Sequence, residues 1–347
     1  MSLSSSNKGE GRKEKGEDFS LNFSHLPFPI SLKNEVTLMK KFLAIIMFAL
    51  MIATTARAAE FEMVEYSAQV KLQWLTAAGI PEAKKFLELL ERPVFFNADN
   101  LEDFERIEMT NALYQELNYA AAIEYVREKN YKNVMDLACS FSPRGMILAQ
   151  DGRKVVVGEL VTVCLLGDYF MDECAGKKAR KNISYDAFWL QDKQGMTESA
   201  NKLKGEVCII EQGVSIYLTK DVLAQTFENL RDVLKKHGGC LITSDFTQKK
   251  YFTDVAAALY GEQNAPTIYA ETKAMYEKVY DDKINDDYLQ DEKEAMEFLK
   301  THGLRAEKVP LFSKPPTLNI SNKLTPMQIE KVNELAAKSY LWVITAL

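Results

Sequence analysis

From residue 131 onward the chain alternates two hydrophobic patterns. The first is a set of short apolar runs rich in Val and Ile: KNVMDLA, KVVVGEL, NISYDAFWL, EVCIIEQG and GCLITSDF. Runs of this length, broken by polar residues and turns, read as buried strands of a parallel sheet. The second is helical. In TKDVLAQTFENLRDVLKKHGG, between the fourth and fifth runs, Val222, Leu223, Phe227, Leu230, Val233 and Leu234 follow the helical period. Basic residues fill its last turn and Gly238-Gly239 stops it. Strand–helix alternation predicts a largely parallel sheet with helices on both faces. Residues 247–303 are helical in pattern, Tyr-rich and acidic, and read as an insertion or lid. The chain closes with AEKVPLF, a helix TPMQIEKVNELAAKS and the strand LWVITAL, which adds two strands beside the sheet.

Ahead of the sheet, residues 59–130 read as a helical cap. QVKLQWLTAAGI and PEAKKFLELLERP have helical apolar spacing, with Pro81 suited to a first turn and Pro93 to a stop. In LEDFERIEMTNALYQELNYAAAIEYVREKN, Phe104, Ile107, Leu113, Leu117, Ala121 and Tyr125 share a face. Upstream, Met39 opens a different pattern: Lys40-Lys41, an apolar run from Phe42 to Ala53, then Ala56-Arg57-Ala58. A basic start, a short apolar core and an A-x-A site make residues 39–58 a signal-peptide-like segment. The run is too short for a comfortable transmembrane helix. Residues 1–38 are polar and patchy, a disordered tail by composition. Glu35-Val36 is codable by a purine-rich ribosome-binding sequence, which points to Met39 as the true start.

Composition narrows the function classes. The net charge of −6 over 347 residues, with no basic stripe, argues against a nucleic-acid surface. The five Cys (Cys139, Cys164, Cys174, Cys208, Cys240) are odd in number and lack C-x-x-C spacing, so they read as buried free thiols. No metal-ligand spacing such as H-E-x-x-H is present. Of three His, His237 and His302 precede Gly at helix ends and His25 lies in the tail. A His-dependent nucleophile therefore has little raw material.

The chemistry concentrates at NVMDLACSFSPRG, residues 133–145, a strand that runs into a turn of small residues and then a helix. In open α/β sheets, ligands sit outside the carboxyl ends of the strands. Four such ends carry polar residues: Asp136, Glu159, Asp186 and Glu211-Gln212. An acid ending the second strand suits two ribose hydroxyls, and one on the third can accept from an adenine amino group. There is no G-x-G-x-x-G and no G-x-x-x-x-G-K-S/T. A nucleoside site without a phosphate cradle points to S-adenosylmethionine.

On these residues the chain resembles the class I S-adenosylmethionine-dependent methyltransferases, in the leucine carboxyl methyltransferase-like group that includes polyketide O-methyltransferases. DLACSFSPRG at 136–145, GEL at 158–160, YDA at 185–187 and EQGVSIYL at 211–218 carry the likeness, which covers roughly residues 95 to 347. The resemblance implies a Rossmann-like seven-stranded sheet, mostly parallel with the last strand antiparallel, under an N-terminal helical cap and a helical lid. It implies S-adenosylmethionine across the first four strand ends. Asp136 ends the first strand, the turn Ala138–Ser140 would pass under the methionine moiety, and Arg144 matches the family's arginine. Glu159 would hold the ribose, Asp186 and Ala187 the adenine edge, and Glu211 or Gln212 would face the methionine end above Tyr217. The family turn is Gly-x-Gly; here it is Ala138-Cys139-Ser140, where a Cβ crowds the cofactor or resists a positive φ. The family's strand-four Glu-Gly is here Gln212-Gly213, with Glu211 one place early and so facing the other side.

Methyl transfer needs alignment and water exclusion more than a base, and the sequence nominates no catalytic residue. The expected partner is a small-molecule hydroxyl or carboxylate acceptor, with Tyr251, Tyr260, Tyr269 and Tyr276 of the lid as candidate walls. No metal and no nucleic acid are expected; oligomeric state is open. A catalytically silent binding protein on the same fold is the competing reading. Fold and cofactor supply favour the cytoplasm, and residues 39–58 favour export.

Overall fold

In the computed structural model, residues 67–90, 101–280 and 288–347 are described. The tail at 1–38, the signal-like segment at 39–58 and the cap residues 59–66 and 91–100 lie outside them. Seven strands form one sheet: β1 Asn133–Leu137, β2 Lys154–Glu159, β3 Ile183–Ala187, β4 Val207–Glu211, β5 Gly239–Thr243, β6 Leu304–Pro310 and β7 Tyr340–Ala346. Their order is β3-β2-β1-β4-β5-β7-β6. The first five pair in parallel, and β7 runs antiparallel to both β5 and β6. This is the Rossmann-like seven-stranded sheet, mostly parallel with the last strand antiparallel, that the alternation and the resemblance predicted. The third strand is shorter than its apolar run, because Phe188 turns in and is buried while Trp189 is 45% exposed.

The helices are α1 (67–77), α2 Pro81–Leu89, α3 Leu101–Glu128, α4 Arg144–Gln150, α5 Val161–Cys174 and α6 Gly176–Arg180. They continue with α7 Lys193–Ala200, α8 Lys220–His237, α9 Gln248–Tyr260, α10 Ala265–Tyr280, α11 Glu292–Thr301 and α12 Pro326–Lys338. Alternation along the strands feeds two cores. Val134, Cys208 and Ile210 face the one under α1 to α6, with α9 and α12 on the same side. Met135, Val207 and Ile209 face the one under α7, α8 and α11. The stripe predicted on α8 is buried at Leu223, Phe227, Leu230, Val233 and Leu234, each such side chain contributing about 1.5–3 kcal/mol. Its stop is sterically required. A Cβ on Gly239, at φ 92°, would lie 2.1 Å from the Val207 carbonyl oxygen.

On α3, Ile107, Leu113, Leu117, Ala121 and Tyr125 are buried as one face; the side chain of Phe104 is outside the described set. The span 247–303 divides. Helices α9 and α10 pack on each other and on α3. Helix α11 instead buries Ala295, Phe298 and Leu299 in the second core and leads into β6. It belongs to the sheet's own helical layer, because its apolar residues recur three and four apart and so form a stripe. Among the described residues, no helix is long and apolar enough to cross a membrane.

Candidate functional site

The carboxyl ends of β1, β2, β4 and β5 meet the cap at one edge, and charge pairs hold the backbone there. Strand β1 delivers Asp136 to a position with no solvent exposure. From the start of α4, the Arg144 guanidinium donates to both carboxylate oxygens, Nη2 to Oδ1 at 2.5 Å and Nε to Oδ2 at 3.0 Å. Its Nη1 donates to Gln212 Oε1 at 2.5 Å. A buried fork of this kind is rigid and satisfied. Burial opposes the arginine's charge, yet Asp136 holds its pKa above the ordinary value.

Between them lies the turn. Ala138 has φ 46° and Ser140 φ 60°, both in the left-handed region. The sequence expectation was that a Cβ there resists positive φ; the chain adopts it at both positions. Two hydrogen bonds enforce it: Ala138 N donates to the Gly158 carbonyl at 2.9 Å, and Ser140 N to Glu159 Oε1 at 2.6 Å. Glu159, buried at the end of β2, also accepts from Leu160 N through Oε2 at 3.1 Å. Each of its oxygens keeps one further lone pair. Burial raises the Glu159 pKa, and the two N–H donors oppose that shift.

At the end of β3, Asp186 Oδ1 accepts from Lys202 at 2.5 Å, and its Oδ2 is buried with no partner. Ala187 beside it is exposed. On β4 successive residues diverge as the pleat requires. Gln212 turns to Arg144, while Glu211 accepts from Ser215 Oγ at 3.1 Å on the other side. Burial first, and then the charge of Asp245, push the Glu211 carboxyl well above the usual range. Asp245, just past β5, accepts from Gly213 N at 2.6 Å and from Val214 N and Ser215 N at 2.9 Å each. It thereby shapes the loop ending in the turn Ser215–Tyr217, where Tyr217 is 43% exposed.

Two participants were missed in the sequence. Asp245 ends a strand at the same edge as the four acids singled out, so its position alone could have flagged it. Lys71 sits between the apolar Val70 and Leu72 of α1, and its ammonium donates to the Gln212 carbonyl at 3.2 Å. Burial, with Arg144 next, lowers its pKa. A cation inside an apolar stripe was its only signal.

Two voids adjoin. A small one of about 10 Å³ touches Lys71, Asn118, Ser142, Arg144 and Gln212. A larger pocket of about 70 Å³ lies between α3, the loop after β4, α9 and α10. Tyr114, Gln115 and Gly213 wall both. Of the lid tyrosines, Tyr269 and Tyr276 line the larger pocket. Tyr276 is locked there, accepting from Trp74 Nε1 at 3.1 Å and donating to Asn111 Oδ1 at 3.3 Å. The Tyr251 ring lies 5.4 Å from that of Tyr114, tilted by 53°, and faces a neighbouring groove instead, and Tyr260 is not on the pocket wall.

Among the described residues, no group of three or more His, Cys, Asp or Glu could hold a metal ion. All five Cys are free, and only Cys174 is not buried.

No family model matches the chain, and no curated protein matches it. Solved structures similar to it include a DUF574 family protein from Streptomyces avermitilis, at 10% identity, TM-score 0.47, covering 80% of this chain and 96% of that one. An O-methyltransferase family protein from Burkholderia thailandensis matches at 11% identity, TM-score 0.42, covering 80% and 71%. Magnesium protoporphyrin IX methyltransferase from Synechocystis, solved with bound SAH, matches at 11% identity, TM-score 0.41, covering 72% and 94%. Likenesses at this level assign no activity to the chain.

Proposed function

We propose that the chain is an S-adenosylmethionine-dependent methyltransferase acting on an oxygen of a small molecule. One observation carries the reading. Buried polar atoms without partners include Thr162 Oγ1, Asp186 Oδ2 and Gln212 Nε2, beside the carboxyl ends of β2, β3 and β4 where a nucleoside would lie. Buried polar groups are as a rule hydrogen-bonded, and these three fit a ligand along that edge. The donor set also fits this cofactor. Glu159 has lone pairs left for ribose hydroxyls, Asp186 Oδ2 can accept from the adenine amino group, and Gln212 Nε2 with Arg144 suits a carboxylate at the methionine end. Bound there, the cofactor would supply a methyl group on a sulfonium. The chain's own part is alignment and exclusion of water by α1, α3 and α10.

The silent-binder reading draws on Lys71, whose ammonium shares the small void with Arg144, and on the Cβ atoms of the turn. Calorimetric titration of the purified protein with S-adenosylmethionine and S-adenosylhomocysteine decides whether the cofactor is used. Micromolar binding is expected, and a folded protein that binds neither at millimolar ligand refutes the proposal. We infer a cytoplasmic site of action from the supply of this cofactor; a C-terminally tagged protein recovered from outside the cytoplasm would overturn that inference and favour the silent binder.

A further inference from the structure

The edge of the sheet opposite the candidate site carries a row of cations. Each of the five parallel strands is entered past lysine: Lys181 before β3, Lys154 at the start of β2, Lys132 before β1, Lys204 before β4, and Lys235 with Lys236 before β5. The strands stand side by side in that order. Their register aligns the beginnings, Lys154 opposite Asn133, Asn133 opposite Val207, and Val207 opposite Gly239. Neighbouring strands lie about 4.8 Å apart, so the row is about 20 Å long. All six lysines are exposed. They are far apart in sequence and show there as no basic run.

The chain does not neutralise this row. Lys132 Nζ donates to Asn130 Oδ1 at 2.6 Å, Lys154 Nζ to the Lys181 carbonyl at 3.2 Å and Lys236 Nζ to Asn201 Oδ1 at 2.6 Å, all neutral acceptors. Among the described residues, no carboxylate pairs with any of the six. The nearby arginines are paired instead: Arg127 and Arg153 with Asp151, and Arg180 with Asp168 and Asp172. The acids beside the row, Glu128, Glu173 and Glu206, are fewer than its lysines, and Lys177 and Lys178 of α6 add two more exposed cations. Helix dipoles account for only part of the pattern. Cations suit the last turn of a helix, which covers Lys235 and Lys236 of α8. Lys132, Lys154 and Lys204 each stand four residues beyond the ends of α3, α4 and α7, where that effect has faded.

The residue type narrows the partner. Fork-like recognition of a single phosphate or carboxylate uses Arg, whereas Lys is a flexible, strongly hydrated point charge. Single-stranded nucleic acid calls for aromatic platforms. The rings near this edge, Tyr125 and Tyr131, stack on each other at 6.4 Å, and Tyr125 is buried. A row of exposed lysines without forks or free rings fits a surface of many mobile negative charges. We propose that this edge rests on an anionic phospholipid surface by electrostatic attraction. The candidate site, at the other ends of the same strands, then faces away from the lipid. The proposal does not depend on the methyltransferase reading.

The test sediments the whole protein with vesicles of phosphatidylcholine mixed with phosphatidylglycerol, and with vesicles of phosphatidylcholine alone. Binding should be confined to the mixed vesicles and should be lost as sodium chloride rises from about 0.05 M to about 0.5 M. Lys132→Gln, Lys154→Gln and Lys204→Gln combined should weaken it by about 100-fold, at about five-fold per lysine. Lys250→Gln, Lys331→Gln and Lys338→Gln combined, on exposed positions of α9 and α12, change the net charge equally and should weaken it by less than about five-fold. Failure of the unaltered protein to bind the mixed vesicles at low salt overturns the proposal even where a triple variant misfolds. Equal weakening by the two triple variants overturns it as well, and so does tighter binding of polyuridylate than of the mixed vesicles, which would make the row a nucleic-acid surface. Vesicle binding by a protein that ignores S-adenosylmethionine would sink the methyltransferase reading and keep the row; cofactor binding without vesicle binding would do the reverse.

Discussion

Replacing Ala138 and Ser140 by glycine is expected to stabilise the protein and to tighten its hold on the cofactor. Their φ values of 46° and 60° sit where an L side chain brings Cβ against the following carbonyl, at roughly 1–2 kcal/mol per residue. Glycine removes that strain but gains freedom in the unfolded chain, which returns about 0.5–1 kcal/mol. The net gain is about 0.5–1 kcal/mol at each position. Both hydrogen bonds that shape the turn come from backbone N–H groups, so neither substitution removes them. For a chain of this size about 1 kcal/mol moves the melting temperature by roughly 1–2 °C. Calorimetric melting should therefore rise by about 0.5–2 °C for each single variant. Gln225→Gly, on the exposed middle of α8, is the control and should cost about 1 kcal/mol. If the turn variants melt lower by as much as the control, the left-handed strain is not there and the account of the turn fails. The same proteins titrated with S-adenosylhomocysteine should bind more tightly than the parent, because two Cβ atoms have left the cradle.

Arg144→Ala should cost about 3–5 kcal/mol in urea unfolding, since it leaves Asp136 charged and buried without its fork. Asp136→Leu with Arg144→Met should cost less than that single loss, and a larger cost would show that the pair is worth more than its desolvation. Glu211→Gln should flatten the dependence of stability on pH. A carboxyl whose folded pKa is raised contributes stability below its unfolded pKa and loses it as pH rises through the folded value. Urea midpoints from about pH 4 to about pH 8 should therefore fall in the parent relative to the variant, and parallel curves would contradict the buried acid. Asp245→Ala strands three N–H donors and should cost about 3 kcal/mol or more. Amide exchange should quicken at Gly213, Val214 and Ser215, and unchanged protection there would mean another group orders the loop.

The sheet was legible because burial on both faces demands continuous Val- and Ile-rich runs, and α8 because one buried face demands a helical period. The boundary of the lid was not legible. Helix α11 lies in the same acidic stretch of sequence, and only its stripe of Ala295, Phe298 and Leu299 ties it to the sheet. The acids at the strand ends were legible by position, but not their engagements. Asp136 with Arg144 is local, eight residues apart. Asp245 with Gly213 and Lys71 with Gln212 span 32 and 141 residues, distances over which single-sequence patterns say nothing. The left-handed turn was hidden for another reason: glycine is its usual signature, and here hydrogen bonds impose the conformation on Ala138 and Ser140 instead.

That substitution of mechanism has a functional consequence. In a turn built from glycine, the backbone holds its shape cheaply and the acid on β2 is free for a ligand. Here Glu159 spends one lone pair of each oxygen on the backbone, one of them to hold Ser140 in a strained conformation. A ribose drawing on the remaining lone pairs would weaken that hold, so turn stability and cofactor affinity oppose one another through a single carboxylate. Glycine at Ser140 removes the strain that Glu159 restrains. The destabilisation caused by Glu159→Gln should therefore be smaller in a Ser140→Gly background than in the parent, by up to the roughly 1–2 kcal/mol of strain. Additive losses in that double-mutant cycle would mean that Glu159 holds the turn without opposing any strain, and the opposition between fold and ligand would not exist.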